Sequence, residues 1–122
     1  MTKDLDTKDL AKVQQNLAKV EAEYLETMKQ AVIDAIEDIK GFDITVMDVR
    51  KLTSLTNYMI VASATSTRQA KAIADNVREK IKEQGYDIRG TEGEKDGEWV
   101  LVDLDDIVVH IMVPATRAYY NL

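Results

Sequence analysis

The chain has 122 residues, one histidine, no cysteine and a formal net charge of −6. This length favours one domain with a hydrophobic core. The absence of cysteine excludes disulfides, thiolate nucleophiles and zinc ribbons, and a single histidine cannot build a multi-histidine metal site. No apolar run reaches the ~20 residues that a membrane span requires, and the N-terminus lacks the features of a signal or transit peptide. The sequence therefore predicts a protein of the bacterial cytoplasm with no membrane partner.

Residues 3–40 are predicted to be helical, because they contain no Gly or Pro and carry apolar residues at helical spacing. Two apolar stripes follow one another, the first comprising Leu10, Val13, Leu17, Val20 and Tyr24 and the second Leu25, Met28, Val32, Ile36 and Ile39. This change indicates two helices, or one bent helix that uses two faces. The first stripe is shorter than three heptads, so residues 1–25 form either a peripheral extension or a segment for homodimer formation. Gly41 is predicted to end the helix as a left-handed cap.

After residue 42 the hydrophobic period changes from about 3.6 to 2, which is typical of strands. Strands are predicted at 43–50, 57–63, 86–89, 99–103 and 106–112. A helix is predicted at 67–84 between Ser66 as N-cap and Gly85, and a short helix begins at Pro114. The succession of strand, helix and strand over residues 57–89 suggests a right-handed parallel crossover. These elements predict an α/β domain, with a mixed sheet of about five strands and flanking helices over residues 26–122, and a helical extension at 1–25.

The net charge is concentrated in one segment of the chain. Residues 92–106 contain seven acidic residues and one lysine, a local charge of −6, so the rest of the chain is neutral overall. A hairpin is expected here, with Leu104 and Asp105 as its central turn residues and with Asp103 facing Asp106. Like charges directly opposite one another are unfavourable, so this pairing indicates a basic partner. The alternative interpretation is that the aspartates form a solvated turn.

Alternation of side chains along the hairpin predicts two different faces. One face is aliphatic and suits packing under helices; it carries Val100, Val102, Ile107, Val109 and Ile111. The other face combines an aromatic residue, aliphatic residues and acids, which is the composition of a protein interface. The predicted partner-binding residues are the members of this second face and two residues of the neighbouring strand: Trp99, Leu101, Asp103, Asp106, Val108, His110, Met112, Tyr58 and Ile60.

Catalysis is the main alternative to partner binding. Asp103 and Asp105 have the local spacing of a divalent-metal pair, so a metal-dependent nucleotidyltransferase-like enzyme is the alternative function. Such an enzyme needs a glycine turn that grips phosphate, and the nearest candidate, residues 63–66, contains no glycine. We therefore expect no catalytic residues, metal or cofactor. Three cations on the long helix are either candidates for direct RNA contact or part of a solvated face: Lys71, Arg78 and Lys82.

Two stretches of the sequence resemble the ribosomal silencing factor, or Iojap-like, family. They are TSLTNYMIVASATSTRQAKAIADNV and EGEKDGEWVLVDLDDIVVHIMVPATRAYYNL, and the resemblance covers about residues 26–122. The chain departs from the family pattern at Asn57, where Asp is usual, and at Ala64, where Gly is usual. The resemblance implies a nucleotidyltransferase-like fold that has no catalytic activity and needs no cofactor.

The resemblance also implies a function. Proteins of this family bind the large ribosomal subunit through its ribosomal protein fourteen, at the face that meets the small subunit. Their presence there prevents subunit joining and represses translation under nutrient limitation, and a role in large-subunit assembly is associated with the family. Because ribosomal proteins are generally basic, an acidic patch with an apolar centre is the complementary surface. The sequence therefore predicts steric repression of translation, with the hairpin as the docking surface.

Overall fold

The computed structural model describes residues 7–120, so the parts of the predictions that concern residues 1–6 and 121–122 lie outside the described residues. The elements in chain order are α1 (Thr7–Asp38), β1 (Phe42–Asp48), β2 (Tyr58–Ser63), α2 (Thr67–Glu83), β3 (Gly90–Glu92), β4 (Trp99–Asp103), β5 (Ile107–Met112) and α3 (Pro114–Tyr119). The five strands form one sheet in the order β1-β2-β5-β4-β3. Strands β2 and β5 are parallel and the other neighbours are antiparallel. The predicted fold class, a mixed five-stranded sheet with flanking helices and an N-terminal helix, is confirmed.

Helix α1 is one continuous helix of 32 residues that uses two faces. Its second apolar stripe enters the core, where Met28, Val32 and Ile36 are at most 1% exposed. Its first stripe faces solvent, and every residue from 7 to 24 is exposed. The change of stripe in the sequence therefore separates a half of the helix that packs on the domain from a half that does not.

The end of α1 differs from the prediction. The left-handed residue is Lys40, with φ of 67°, so the assignment of this role to Gly41 is wrong. The amides of Lys40 and Gly41 donate to the carbonyl oxygens of Glu37 and Ile36, both at 2.9 Å, which is the Schellman pattern. Glycine is needed for space instead, because a Cβ on Gly41 would lie 2.3 Å from Cγ2 of Ile36.

Helix α2 forms close to its predicted position. The Oγ of Ser66 accepts a hydrogen bond from the amide of Gln69 at 3.1 Å, as an N-cap does. The helix ends just before Gly85, which has a φ of 84°. Its inner face is completely buried and consists of Ala70, Ile73, Ala74, Val77 and Ile81. Together with the packed half of α1, this face covers one side of the sheet and forms the hydrophobic core.

The strand that follows α2 lies later in the chain than predicted. Residues 86–89 do not form a strand, and β3 occupies Gly90–Glu92 at the edge of the sheet. The two apolar residues that suggested a strand, Tyr86 and Ile88, pack against the core without strand pairing. Strand β3 runs in the same direction as β2, but β5 and β4 lie between them. The crossover from β2 therefore leads to the far edge, and the adjacent parallel partner of β2 is β5.

Candidate docking surface

The β4–β5 hairpin turns at a different place than predicted. The amide of Leu104 donates to the carbonyl oxygen of Ile107 at 2.9 Å, so Asp105 and Asp106 are the central turn residues. The prediction of Leu104 and Asp105 is wrong because Leu104 is 2% exposed and belongs to the core. The pairing shifts by two residues, so the strand residues keep their predicted faces.

The shifted turn separates the two aspartates that were expected to face each other. Asp103 pairs with Val108, and its Oδ1 accepts a hydrogen bond from the amide of Asp105 at 2.8 Å. Asp106 lies in the turn, where its Oδ1 accepts a hydrogen bond from Nδ2 of Asn57 at 3.0 Å. The predicted facing pair is therefore wrong, and Asp103 has a folding role as a cap of the turn. Because Asp103 and Asp106 do not face each other, no basic partner is needed to offset repulsion between them.

The sheet face that points away from α1 and α2 is called here the open face. Paired residues on neighbouring strands share a face, so its side chains form rows across the sheet. The register gives a first row of Met47, Met59, Val108 and Asp103, a second row of Thr45, Val61, His110, Leu101 and Glu92, and a third row of Ser63, Met112 and Trp99. Six of the predicted partner-binding residues, all from the hairpin, therefore lie on one surface.

Tyr58 and Ile60 do not belong to this surface. Ile60 pairs with Val109 and is completely buried, and Tyr58 packs against the same core. The expectation that these two residues extend the docking surface is wrong, because the pairing of β2 with β5 decides which alternate residues share a face. Met59 and Val61 lie on the open face instead; Met59 is half-buried, whereas Val61 is 1% exposed and offers a partner no area.

The side chain of Arg117 in α3 reaches the second and third rows. Arg117 donates from Nη1 to Oγ of Ser63 at 2.8 Å and from Nη2 to Oγ1 of Thr45 at 3.0 Å. Ser63 is 2% exposed and Met112 is completely buried. Met112 therefore supports the surface from beneath and offers no area of its own to a partner.

Trp99 joins the hairpin to the end of α3. Its Nε1 donates to Nδ1 of His110 at 2.8 Å, and its ring centroid lies 4.9 Å from that of Tyr120. Burial lowers the pKa of His110, which favours the neutral ring with Nδ1 as acceptor. Gly93, with φ of 81°, passes so close that a Cβ there would lie 2.0 Å from the carbonyl oxygen of Trp99. The hydrogen bond to His110 and the ring contact with Tyr120 hold the half-buried indole, and the close approach of Gly93 fixes the backbone at Trp99.

The part of the open face that a partner can reach is larger than the sequence indicated. Leu101 and Val108 are half-buried and line a groove of about 720 Å³ with Leu55 of the β1–β2 connection. Leu55 is 85% exposed and Leu52 is 83% exposed. Neither these two leucines nor Met47 and Met59 were among the predicted partner-binding residues. The available signal was a polar connection with two leucines that no predicted element would bury.

Negative charge lies along the β4 and β3 side of the open face. Glu92 is exposed in the second row and Asp103 is half-buried in the first. The carboxylate of Asp105 pairs with Nη1 of Arg89 at 2.8 Å, and both side chains are largely exposed. The open face thus has an apolar centre with carboxylates at one side, as predicted, although Asp106 is not among them.

Two of the candidate RNA-contacting cations on α2 are engaged within the domain. Arg78 pairs with Glu94 at 3.1 Å and donates to Oγ1 of Thr91 at 2.9 Å. Lys71 donates from Nζ to the carbonyl oxygen of Lys95 at 3.2 Å. These contacts tie the acidic β3–β4 connection to α2. The role of this helix face in RNA binding stays a prediction.

The two aspartates of the enzymatic alternative both make contacts at the hairpin turn. Asp103 caps the turn and Asp105 pairs with Arg89. Among residues 7–120, no group of three or more His, Asp and Glu side chains is arranged to hold a metal ion. No helix in this described range is both long and apolar enough to cross a membrane.

Comparison with known proteins identifies the family. The sequence profile described as "ribosomal silencing factor during starvation" matches residues 21–122. The chain belongs to the ribosomal silencing factor family. A ribosomal silencing factor of Chromobacterium violaceum is 53% identical over 98 residues, which cover 80% of each chain. A crystal structure of a protein from the same organism matches with a TM-score of 0.77 and 54% identity, covering 79% of this chain and 80% of that one.

The family extends to organelles. A mouse relative, 31% identical over 83 residues, is named mitochondrial assembly of ribosomal large subunit protein 1; the match covers 66% of this chain and 36% of the relative. The family profile begins at residue 21, within the exposed half of α1. The predicted division of the ribosomal silencing factor domain from the extension, between residues 25 and 26, stays a prediction.

Proposed function

We propose that this member of the ribosomal silencing factor family represses translation by binding the large ribosomal subunit in the bacterial cytoplasm. Its open face docks on ribosomal protein fourteen, at the surface that meets the small subunit. The bound domain then prevents subunit joining by occupying that surface. This action is steric, so it needs no catalytic residue, metal or cofactor.

The observation that carries the proposal is the composition of the open face. Leu101, Val108 and Leu55 form an apolar centre that water covers in the free protein, and burying it supplies affinity. Trp99 is a half-buried aromatic held by hydrogen bonding and ring packing, the type of residue that dominates interface energies. The carboxylates of Glu92 and Asp103 favour a basic partner and speed its association.

Co-sedimentation with separated ribosomal subunits across a salt series tests the proposal. The protein should bind the large subunit alone, and binding should weaken as salt screens the acidic side of the open face. Large subunits saturated with the protein should fail to join small subunits. Equal binding to both subunits, or normal joining at saturation, would contradict the proposal.

Truncation of Trp99 tests the assignment of the surface. We expect Trp99→Ala to weaken binding to the large subunit by about 2 kcal/mol, or roughly thirtyfold. Glu79→Ala, at an exposed position of α2 and outside the open face, is the control. Thermal unfolding of both variants checks that they remain folded. Unchanged binding by folded Trp99→Ala would show that another surface contacts the ribosome.

A further inference from the structure

The exposed half of α1 carries a continuous apolar stripe that faces solvent and reaches the domain at its base, where Tyr24 contacts Tyr86. Its five members are between 43% and 61% exposed and are called here the projecting stripe: Leu10, Val13, Leu17, Val20 and Tyr24. The exposed residues 7–24 span about 27 Å of helix. Single apolar residues on a surface are ordinary, but a line of five at alternating spacings of three and four is the seam by which one helix packs on another.

The residues beside the stripe disfavour a second copy of the chain as the occupant. The flanking positions include Gln14, Asn16, Glu21 and Glu23, whereas Lys12 and Lys19 lie further from the stripe. In a parallel pair, Asn16 of one copy would meet Glu21 of the other. In an antiparallel pair, a flanking glutamate meets only neutral or acidic residues. No self-pairing therefore places a cation against Glu21 or Glu23, and charge complementarity favours a partner with Lys or Arg at these positions.

The base of the stripe meets an acidic corner of the domain. The ring of Tyr24 contacts that of Tyr86, with the centroids 5.1 Å apart. Burial raises the pKa of Asp106, and Asp105 and Glu21 raise it further. A cavity of about 570 Å³ lies here, lined by Tyr24, Gln84, Gly85, Tyr86, Asp87, Arg89, Leu104, Asp105 and Asp106. The apolar stripe therefore leads into a concave region, called here the acidic corner, in which three carboxylates, those of Asp87, Asp105 and Asp106, outnumber the one cation, Arg89.

We infer that the projecting stripe and the acidic corner at its base bind an amphipathic helix of another protein, one whose apolar stripe is flanked by lysine or arginine. The aliphatic residues of the stripe supply contact area, and Glu21 and Glu23 select the basic flanks. The projecting stripe lies on α1, away from the open face, and the acidic corner borders that face at Arg89 and Asp105, which line both cavities. The inference does not rest on the function proposed for the open face.

Two designed helical peptides of about three heptads serve as probes. Both carry leucine at the a and d positions; one carries lysine at e and g, and the other carries glutamate there. Fluorescence anisotropy with the full chain should show at least about tenfold tighter binding of the lysine peptide, with the difference decreasing as salt is added. Replacing both Glu21→Gln and Glu23→Gln should reduce the preference for the lysine peptide.

Paired substitutions locate the binding site. We expect the double variant Leu17→Gln, Val20→Gln to lose at least about tenfold in affinity for the lysine peptide, because its apolar contact is removed. The matched control is Gln15→Ala, Ala22→Gln on the opposite side of the same exposed helix, and its affinity should be unchanged. Both doubles alter residues outside the core, and circular dichroism checks that α1 remains helical.

Three results would overturn the inference. The first is equal affinity for the two peptides, and the second is unchanged affinity of the Leu17→Gln, Val20→Gln variant. The third is a dimer of the full chain in sedimentation equilibrium that this variant converts to monomer, which would make a second copy the occupant. Peptide binding by Trp99→Ala should equal that of the wild type, so failure at this site and failure at the open face are distinguishable.

Discussion

The two faces of the sheet are built from alternate residues of the same strands, yet they have different surroundings. On β5, Val109 is completely buried beneath the helices, whereas its neighbour Val108 is half-buried on the open face. On β4, Val102 and Leu101 repeat this contrast. The covered face gains its stability from the chain itself, and the open face retains apolar area for a partner. A strand of five or six residues thus supplies both the core and the proposed docking surface.

Truncation of the two neighbouring valines gives the largest expected difference between the faces. We expect Val109→Ala to lower the free energy of unfolding by about 2.5 kcal/mol, because it removes fully buried methyl groups and leaves a cavity. Val108→Ala should lower it by less than about 1 kcal/mol. Urea unfolding monitored by circular dichroism measures both values.

Binding should show the reverse order for the same two variants. At a temperature where both are folded, Val108→Ala should bind the large subunit more weakly and Val109→Ala should bind as the wild type does. A loss of affinity in Val109→Ala alone would mean that the two faces are not functionally distinct.

The pH dependence of stability tests the buried histidine of the open face. Burial lowers the pKa of His110, so below about pH 6.5 the unfolded chain takes up a proton that the folded state does not. The free energy of unfolding should therefore fall as the pH decreases through this range, by at most about 1.4 kcal/mol per pH unit. His110→Gln keeps an acceptor for the indole of Trp99 and removes the titration, so its stability should depend less on pH. Equal pH dependence of wild type and variant would show that His110 titrates as it does in the unfolded chain.

Asp106, which lies in the turn and outside the open face, gives the smallest expected effect. Because its pKa is raised, chiefly by burial, its carboxylate disfavours the folded state at neutral pH, and this penalty disappears as the pH falls below the pKa of the unfolded chain. Asp106→Asn keeps an oxygen that can accept from Asn57 and should raise the free energy of unfolding at neutral pH by about 0.5 kcal/mol. Thermal unfolding measures this change. Lower stability than wild type at neutral pH would show that the carboxylate is favourable where it lies.

The faces of the hairpin were predictable from the sequence because alternation along a strand survives a register shift of two residues. The turn was not, because the choice depends on whether Leu104 reaches the core, which only the packed helices decide. Tyr58 and Ile60 were misplaced for a related reason. Alternation within β2 is visible in the sequence. Which of its alternate residues share a face with those of β5 follows from a pairing between strands that are distant in the chain.

Elsewhere in the fold as well, features set by residues close in the chain were predictable, and features set by distant contacts were not. The N-cap at Ser66 and the buried face of α2 are local features, and both were predicted correctly. The strand expected at residues 86–89 does not form, because its two apolar residues, Tyr86 and Ile88, pack against the core without entering the sheet. Leu55 was not predicted because its value lies in its exposure beside the groove of the open face, which no periodicity reveals.

A charge introduced on the open face tests the central claim most directly. Leu101→Arg places a cation in the apolar centre, and Ala72→Arg adds the same charge at an exposed position of α2. The affinity of each variant for purified large subunits should be measured by co-sedimentation, after thermal unfolding has shown that both are folded. We predict that Leu101→Arg loses at least about a hundredfold in affinity while Ala72→Arg binds as the wild type does. Equal affinities of the two variants would contradict docking through the open face.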